Sequence, residues 1–175
     1  VPVVQDSIAP LDRQQLSERW EALFGDPVFG DFPGKVELTE FGEVLVNPPV
    51  GKVHAGVAGR AVELLRNALG GHAIVEASIL TDIGVRAPDV AWCSQGYWDA
   101  HSEKGALTSA PEICIEVRSP SDTLVQLRRK ALAYLAAGAI EVWIVSPESR
   151  QVEIYGKEGQ RKASSFPVDP GGLFA

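Results

Sequence analysis

Residues 112–118 read Glu-Ile-Cys-Ile-Glu-Val-Arg, and Pro120 ends the run. Side chains alternate along an extended chain. Ile113, Ile115 and Val117 therefore point one way, and Glu112, Cys114, Glu116 and Arg118 the other. A helix follows, with Ser121 or Asp122 as its expected cap and Gly138 at its end. Ile140 to Val145 then reads as a central strand, apolar except for Glu141 near its start. A strand, a helix and a second apolar strand in this order predict an α/β domain with helices packed on a mixed sheet.

Working outward, Arg86-Ala-Pro-Asp-Val-Ala-Trp92 gives a second strand over about 87–92, preceded by one at about 73–80. A helix from about His54 to Leu69 carries an apolar stripe of Val57, Ala58, Ala61, Leu64, Leu65 and Ala68, and Gly70-Gly71 stops it. The core order is thus helix, strand, strand, strand, helix, strand. Val36 to Val46 forms a hairpin turning near Phe41-Gly42, and Pro48-Pro49 ends it. Before it, residues 11–24 form an amphipathic helix capped by Asp12, with Leu16, Trp20, Leu23 and Phe24 on one face, and 25–34 form a loop. Residues 94–110 read as irregular loop, and Val152 to Tyr155 as a last strand. With 175 residues and no internal repeat, the chain is expected to be one domain over 1–175.

Composition narrows the function. The chain is 45% hydrophobic and 22% charged, and no apolar run is long enough to span a bilayer. The first residues lack the basic-then-apolar layout of a secretory signal. Cys93 and Cys114 fit no metal spacing and read as reduced core residues of a cytoplasmic protein. A net charge of −7 argues against a general nucleic-acid coating protein. It is compatible with a nuclease, which needs only local cations; Arg86, Arg118, Arg128, Arg129 and Lys130 are available.

Asp89 and Glu116 carry the chemistry. Each lies in a strand that reads as buried, where an unpaired carboxylate costs several kcal/mol or more. Asp89 shares a face with Ala91, and Glu116 with Cys114, so on neighbouring strands the two carboxylates converge. A hard dication suits such a pair: Mg²⁺ or Mn²⁺ could be held by Asp89, Glu116 and the Val117 carbonyl, with water completing the shell. Lys130 falls on the flank of its helix's buried stripe, beside Gln126 and Tyr134, and could orient the attacking water or stabilise the transition state. Arg118 could stabilise charge but is a poor base. The same residues also admit a structural reading: Asp89 ending a turn, Glu116 paired with Arg118 or Arg86, and Lys130 solvated.

Among other candidates, Glu76 could add a metal ligand, although an edge or loop carboxylate is the competing reading. His54 opens a helix after a Pro-rich turn and could touch a phosphate. Glu63 reads as a solvated face, and Glu43 as part of hairpin pairing. His72 and His101 show no ligand spacing. Gly56-Val-Ala-Gly59 is no phosphate loop, and no nucleophile elbow occurs. Tyr97 and Trp98 could stack on a base, but covering a core edge explains them better.

The combination Pro88-Asp89 followed by Glu116-Val117-Arg118 resembles the PD-(D/E)XK nuclease superfamily. Several longer stretches narrow this: Arg86 to Trp92, Ile115 to Asp122, Tyr134 to Gly138, Glu141 to Val145, Val152 to Tyr155, and Glu37-Leu38 with Gly42-Glu43-Val44. Together, over about 36–156, they resemble the Uma family of restriction endonucleases. The resemblance implies a restriction-endonuclease-like fold and metal-dependent DNA hydrolysis, with Asp89 and Glu116 as metal ligands. The superfamily lysine falls at Arg118 here, and Lys130 on the following helix takes its place. Gln126 stands where many members carry Asp, four residues before that lysine. A homodimer is expected, since two sites cut two strands and the outer hairpin offers a pairing edge. The competing class is a catalytically inert nucleic-acid- or protein-binding regulator that kept the fold; the low basicity, Arg118 and Gln126 favour it. An RNA-directed or structure-specific repair nuclease is a third reading.

Overall fold

The run around Glu116 becomes the third strand of a six-stranded sheet, and every other element can be placed relative to it. The computed structural model describes residues 9–30, 34–101 and 104–174, apart from the side chains of residues 24, 29 and 30. In chain order the elements begin with α1 (Arg13–Phe24), α2 (Pro27–Gly30), β1 (Lys35–Leu38), β2 (Val44–Asn47) and α3 (Lys52–Leu69). Next come β3 (His72–Val75), β4 (Ile79–Thr81), β5 (Gly84–Arg86), β6 (Val90–Cys93) and α4 (Gln95–Ala100). The chain ends with β7 (Ile113–Val117), α5 (Leu124–Ala136), β8 (Glu141–Ser146), β9 (Gln151–Gly156), β10 (Gly159–Arg161) and a 3₁₀ turn at Pro170–Phe174.

The sheet order is β10-β9-β8-β7-β6-β3. Only β7 and β8, joined through α5, run parallel; the other pairs are antiparallel. The alternation in 113–117 sorts the two faces. Ile113, Ile115 and Val117 join Val90, Trp92, Trp143 and Val145 under α3 (Val57, Ala61, Leu65) and Leu173. Cys114, with Ala91, Val142 and Ile144, packs under α5 (Leu127, Ala131, Tyr134, Leu135). A third cluster joins Leu16, Trp20 and Leu23 of α1 to Leu38, Leu80 and Val85, which docks the hairpins β1–β2 and β4–β5 beside the sheet.

The order helix, strand, strand, strand, helix, strand is present as α3, β3, β6, β7, α5 and β8, with β4–β5 inserted after β3. The expected strand at 73–80 is two strands in different sheets. Glu76 takes a left-handed conformation (φ 51°), and the chain leaves the main sheet there. Gly84 (φ 111°) is required in the insertion, because a Cβ would run into the Leu38 carbonyl of β1.

The expected loop 94–110 contains α4. No residue of that helix is buried, so it leaves no apolar period to read. Residues 102 and 103 of that loop, 31–33 of the expected loop 25–34, and the Phe24 side chain lie outside the described residues; 27–30 form a short helix. The cap of α5 is Thr123, in a reciprocal box with Gln126. Asp122 instead accepts from the Ser119 amide (2.7 Å) and hydroxyl (2.6 Å). The strand β10 and the 3₁₀ turn extend the C-terminal part beyond what the sequence pattern showed. Among the described residues, no helix is long and apolar enough to cross a membrane.

Candidate functional site

The antiparallel register of β6 and β7 pairs Val90 with Ile115 and Ala91 with Cys114. One residue further along, it sets Asp89 across from Glu116, both on the α5 face. Both are buried, at 8% and 2% exposure. Asp89 Oδ2 accepts the Val117 amide at 2.7 Å, which ties the start of β6 to the end of β7.

From α5, Lys130 Nζ lies 3.0 Å from Glu116 Oε1 and 3.0 Å from Glu37 Oε1, bridging two buried carboxylates. One helical turn later Tyr134 donates its hydroxyl to Glu116 Oε1 at 2.8 Å. From β1, Lys35 and Glu37 point toward the sheet, while Val36 and Leu38 face the α1 cluster. Lys35 Nζ is 2.7 Å from Asp89 Oδ1 and donates to the Ala87 carbonyl at 3.0 Å. Glu37 accepts the Ala87 amide at 2.9 Å, and Arg86 Nη1 stands 3.7 Å from its other oxygen. At the start of α3, His54 Nε2 is 3.1 Å from Asp89 Oδ2. Its Nδ1 is buried without a hydrogen-bond partner among the described residues.

Burial and charge act in opposition on these groups. Burial alone would raise the Asp89 carboxyl, but His54, Lys35 and the Val117 amide outweigh it and hold Asp89 well below the usual carboxylate range. Glu37 is likewise lowered, because Lys130, Lys35 and the Ala87 amide outweigh its desolvation. Glu116 is raised: burial dominates, aided by Asp89 and Glu37, against Lys130 and Lys35. Lys130 and Lys35 are both raised, since the carboxylates outweigh desolvation that would lower them. His54 is raised chiefly by Asp89, against burial. The two lysines are thus firmly cationic at neutral pH.

Asp89, Glu116, Lys130 and His54 come together. Arg118 does not join them: it is exposed, with Nε 3.4 Å from the Asp122 carbonyl. Gln126 serves the α5 cap. Glu76 is exposed and lines a cavity with Trp20, Leu23, Lys35 and Val36. Arg128 and Arg129 pair with Glu153 and Glu40. Trp98 stacks on His72 and is 42% exposed, and Tyr97 donates to the Ser109 carbonyl. The residues missed are Lys35, Glu37 and Tyr134. The alternation Lys35-Val36-Glu37-Leu38 and the i,i+4 spacing of Lys130 and Tyr134 were the available signals.

Asp89 and Glu116 offer carboxylate oxygens of the kind a hard dication takes, and the Val117 carbonyl, next to Glu116 in the chain, would add a third oxygen. The donors fit Mg²⁺ or Mn²⁺ in chemistry. Among the described residues, however, no group of three or more His, Cys, Asp or Glu side chains forms a ready metal cage. Both Asp89 oxygens are already engaged, by Lys35 on one side and by His54 and the Val117 amide on the other.

No curated protein sequence matches the chain. Among solved structures, it is similar to the crystal structure of a protein described as "a putative nuclease belonging to DUF820" from Anabaena variabilis. The TM-score is 0.68 at 17% identity, covering 94% of this chain and 98% of that one. The likeness establishes a shared restriction-endonuclease-like fold. Residues 31–172 match the family Uma2, described as "Putative restriction endonuclease". With a match over most of its length, and a fold that agrees, the chain belongs to the Uma2 family.

Proposed function

We propose that this protein is a metal-dependent endonuclease that hydrolyses DNA phosphodiester bonds, acting as one domain over 1–175. The observation that carries this reading is the buried pair of Glu116 on β7 and Asp89 immediately before the adjacent β6, with Lys130 bonded to Glu116. Asp89, Glu116 and the Val117 carbonyl would hold Mg²⁺ or Mn²⁺, which when bound polarises a phosphoryl oxygen and acidifies a water.

The protein's own groups do the rest. Lys130 is held protonated by Glu116 and Glu37, so it donates to developing negative charge rather than removing a proton. Tyr134 and Lys130 fix the Glu116 carboxylate in one orientation. His54 and the Val117 amide do the same for Asp89. Arg118, exposed just beyond the end of β7, meets a backbone phosphate as a charge stabiliser.

Two further features belong to this reading. The exposed Leu45, Val46, Val50 and Val53 along and after β2 support a homodimer through the outer hairpin. The free, buried Cys93 and Cys114 suit a reducing cytoplasm.

One observation favours the competing reading of an inert binding protein: the carboxylates are already satisfied by ion pairs within the fold. Purified protein with Mg²⁺ or Mn²⁺ decides between them. Supercoiled, linear and single-stranded DNA and RNA should be incubated with wild type and with Asp89→Asn/Glu116→Gln. Cleavage of DNA lost in the double variant supports the nuclease. Cleavage of RNA alone moves the substrate. No cleavage of any form by folded wild type refutes the proposal.

A further inference from the structure

We propose that Lys35 is a resident cation that competes with the divalent metal for Asp89 and Glu116, so that metal enters only as this ammonium leaves. The inference rests on the nuclease reading of the same site and adds a residue to it.

Three observations lead there. First, Lys35 Nζ sits 2.7 Å from Asp89 Oδ1 and is bonded to the Ala87 carbonyl, among oxygens of the type a hard dication takes. It also feels the charges of Glu116 and Glu37. Second, the local charges already balance. Asp89, Glu116 and Glu37 are matched by Lys35, Lys130 and Arg86, with His54 beside them. Adding a dication to a buried, neutral cluster is unfavourable unless a cation departs or an anion such as a phosphodiester arrives. Lys130 bridges two carboxylates from a helix whose buried face is packed, whereas Lys35 comes from a four-residue strand of a two-stranded hairpin. Third, Lys35 also lines a cavity of about 190 Å³ with Trp20, Leu23, Val36 and Glu76. Lys35 therefore borders open space, which Glu76 also lines.

In the free protein, Lys35 keeps the two facing carboxylates neutralised and in place. On metal entry it is released to the cavity or to a substrate phosphate. It is a positioning residue in the first state, and the competition predicts weak metal binding without nucleic acid.

The test is Mn²⁺ binding, without substrate, to wild type, Lys35→Met, Lys35→Met/Asp89→Asn and Lys52→Met. The last removes the same charge at an exposed position outside the site. We expect Lys35→Met to bind Mn²⁺ at least about tenfold tighter than wild type, Asp89→Asn to abolish the gain, and Lys52→Met to match wild type. A second measurement needs no variant: amine acetylation of wild type, read by mass spectrometry. Lys35 should be protected in the free protein and gain reactivity on adding Mn²⁺, while Lys130 should not. Equal or weaker Mn²⁺ binding by folded Lys35→Met overturns the competition and leaves the nuclease reading standing. So does Mn²⁺ binding at Asp89 that leaves Lys35 protected. Absence of Mn²⁺ binding in every protein, Lys35→Met included, also overturns the competition, and the nuclease reading then stands or falls on the DNA cleavage assay alone.

Discussion

Replacing Lys130 with Met retains most of the aliphatic stem and removes the ammonium that bridges Glu37 and Glu116. The side chains involved are 17%, 4% and 3% exposed, so solvent cannot replace the lost charge. Glu37 keeps the Ala87 amide and the nearby Arg86. Among the described residues, Glu116 keeps the Tyr134 hydroxyl and the more distant charge of Lys35, and it becomes the weak point of the variant. Its penalty has a ceiling, because the carboxylate can take up a proton instead. From its ordinary value of 4.5, protonation at pH 7.5 costs about 4 kcal/mol, and at pH 5.5 about 1.4 kcal/mol. The expected loss is therefore about 3–4 kcal/mol at pH 7.5, within the range for breaking a buried pair. It should shrink to about 1–1.5 kcal/mol at pH 5.5.

The sign follows from linkage. The folded variant binds more protons than the unfolded chain between 4.5 and the raised folded value, so its stability rises as pH falls through that window. Asp89 is held low by His54, Lys35 and the Val117 amide, none of which the substitution touches, so its contribution persists until pH falls through the carboxylate range, below this window. Urea unfolding of both proteins at the two pH values measures the difference, and a thermal shift of about 6–16 °C at pH 7.5 should accompany it. A loss below about 1 kcal/mol at pH 7.5, or the same loss at both pH values, would refute the account of Lys130 as the main counter-charge of Glu116.

Other perturbations probe the opposite side of the cluster and the frame behind it. In wild type the His54 imidazole titrates above 6.5, chiefly because of Asp89; its stabilising charge is fully present below 6.5 and is lost as pH rises through the folded value. Asp89→Asn should bring it below 6.5, as burial and Lys35 then dominate, and an NMR titration that still finds it raised would contradict the pairing. Glu141 is fully buried on β8, where it accepts from Trp143 Nε1 (2.8 Å) and the Ser165 amide (2.9 Å) and pairs with Arg161 at 3.3 Å. Glu141→Ala should cost about 3–5 kcal/mol and speed amide exchange around Ser165; unchanged exchange there would show that the C-terminal segment is held by other contacts.

The face of Glu116 was legible in the sequence because alternation within a strand is strict, and Asp89, one residue before β6, is held to the same face by the Val117 amide. Ile113, Ile115 and Val117 declare the α3 side, and their neighbours must take the other. Lys130 was legible for the same kind of reason, from helical period against Leu127 and Ala131. The cap of α5 was misplaced by one or two residues because Ser121, Asp122 and Thr123 are all competent caps, and only the backbone path selects among them. Arg118 follows Glu116 by two residues and so shares its parity. Yet β7 ends at Val117, and past a strand's end alternation no longer governs where a side chain goes.

What the sequence determined by itself was local: periods, breaks and caps, and hence the core order of strands and helices and the two carboxylates that oppose each other across β6 and β7. What only the tertiary structure decided was the company those carboxylates keep. Lys35 and Glu37 lie more than fifty residues before Asp89, on a hairpin whose pairing is confined to β1 and β2. Nothing in their local pattern states that the hairpin docks over the α5 face. That placement follows from burying Leu38 against Leu16, Trp20 and Leu80, and from the close passage that Gly84 permits. Hydrophobic packing is non-directional along the chain, so it can bring distant charges to one point with no sequence signature of the meeting.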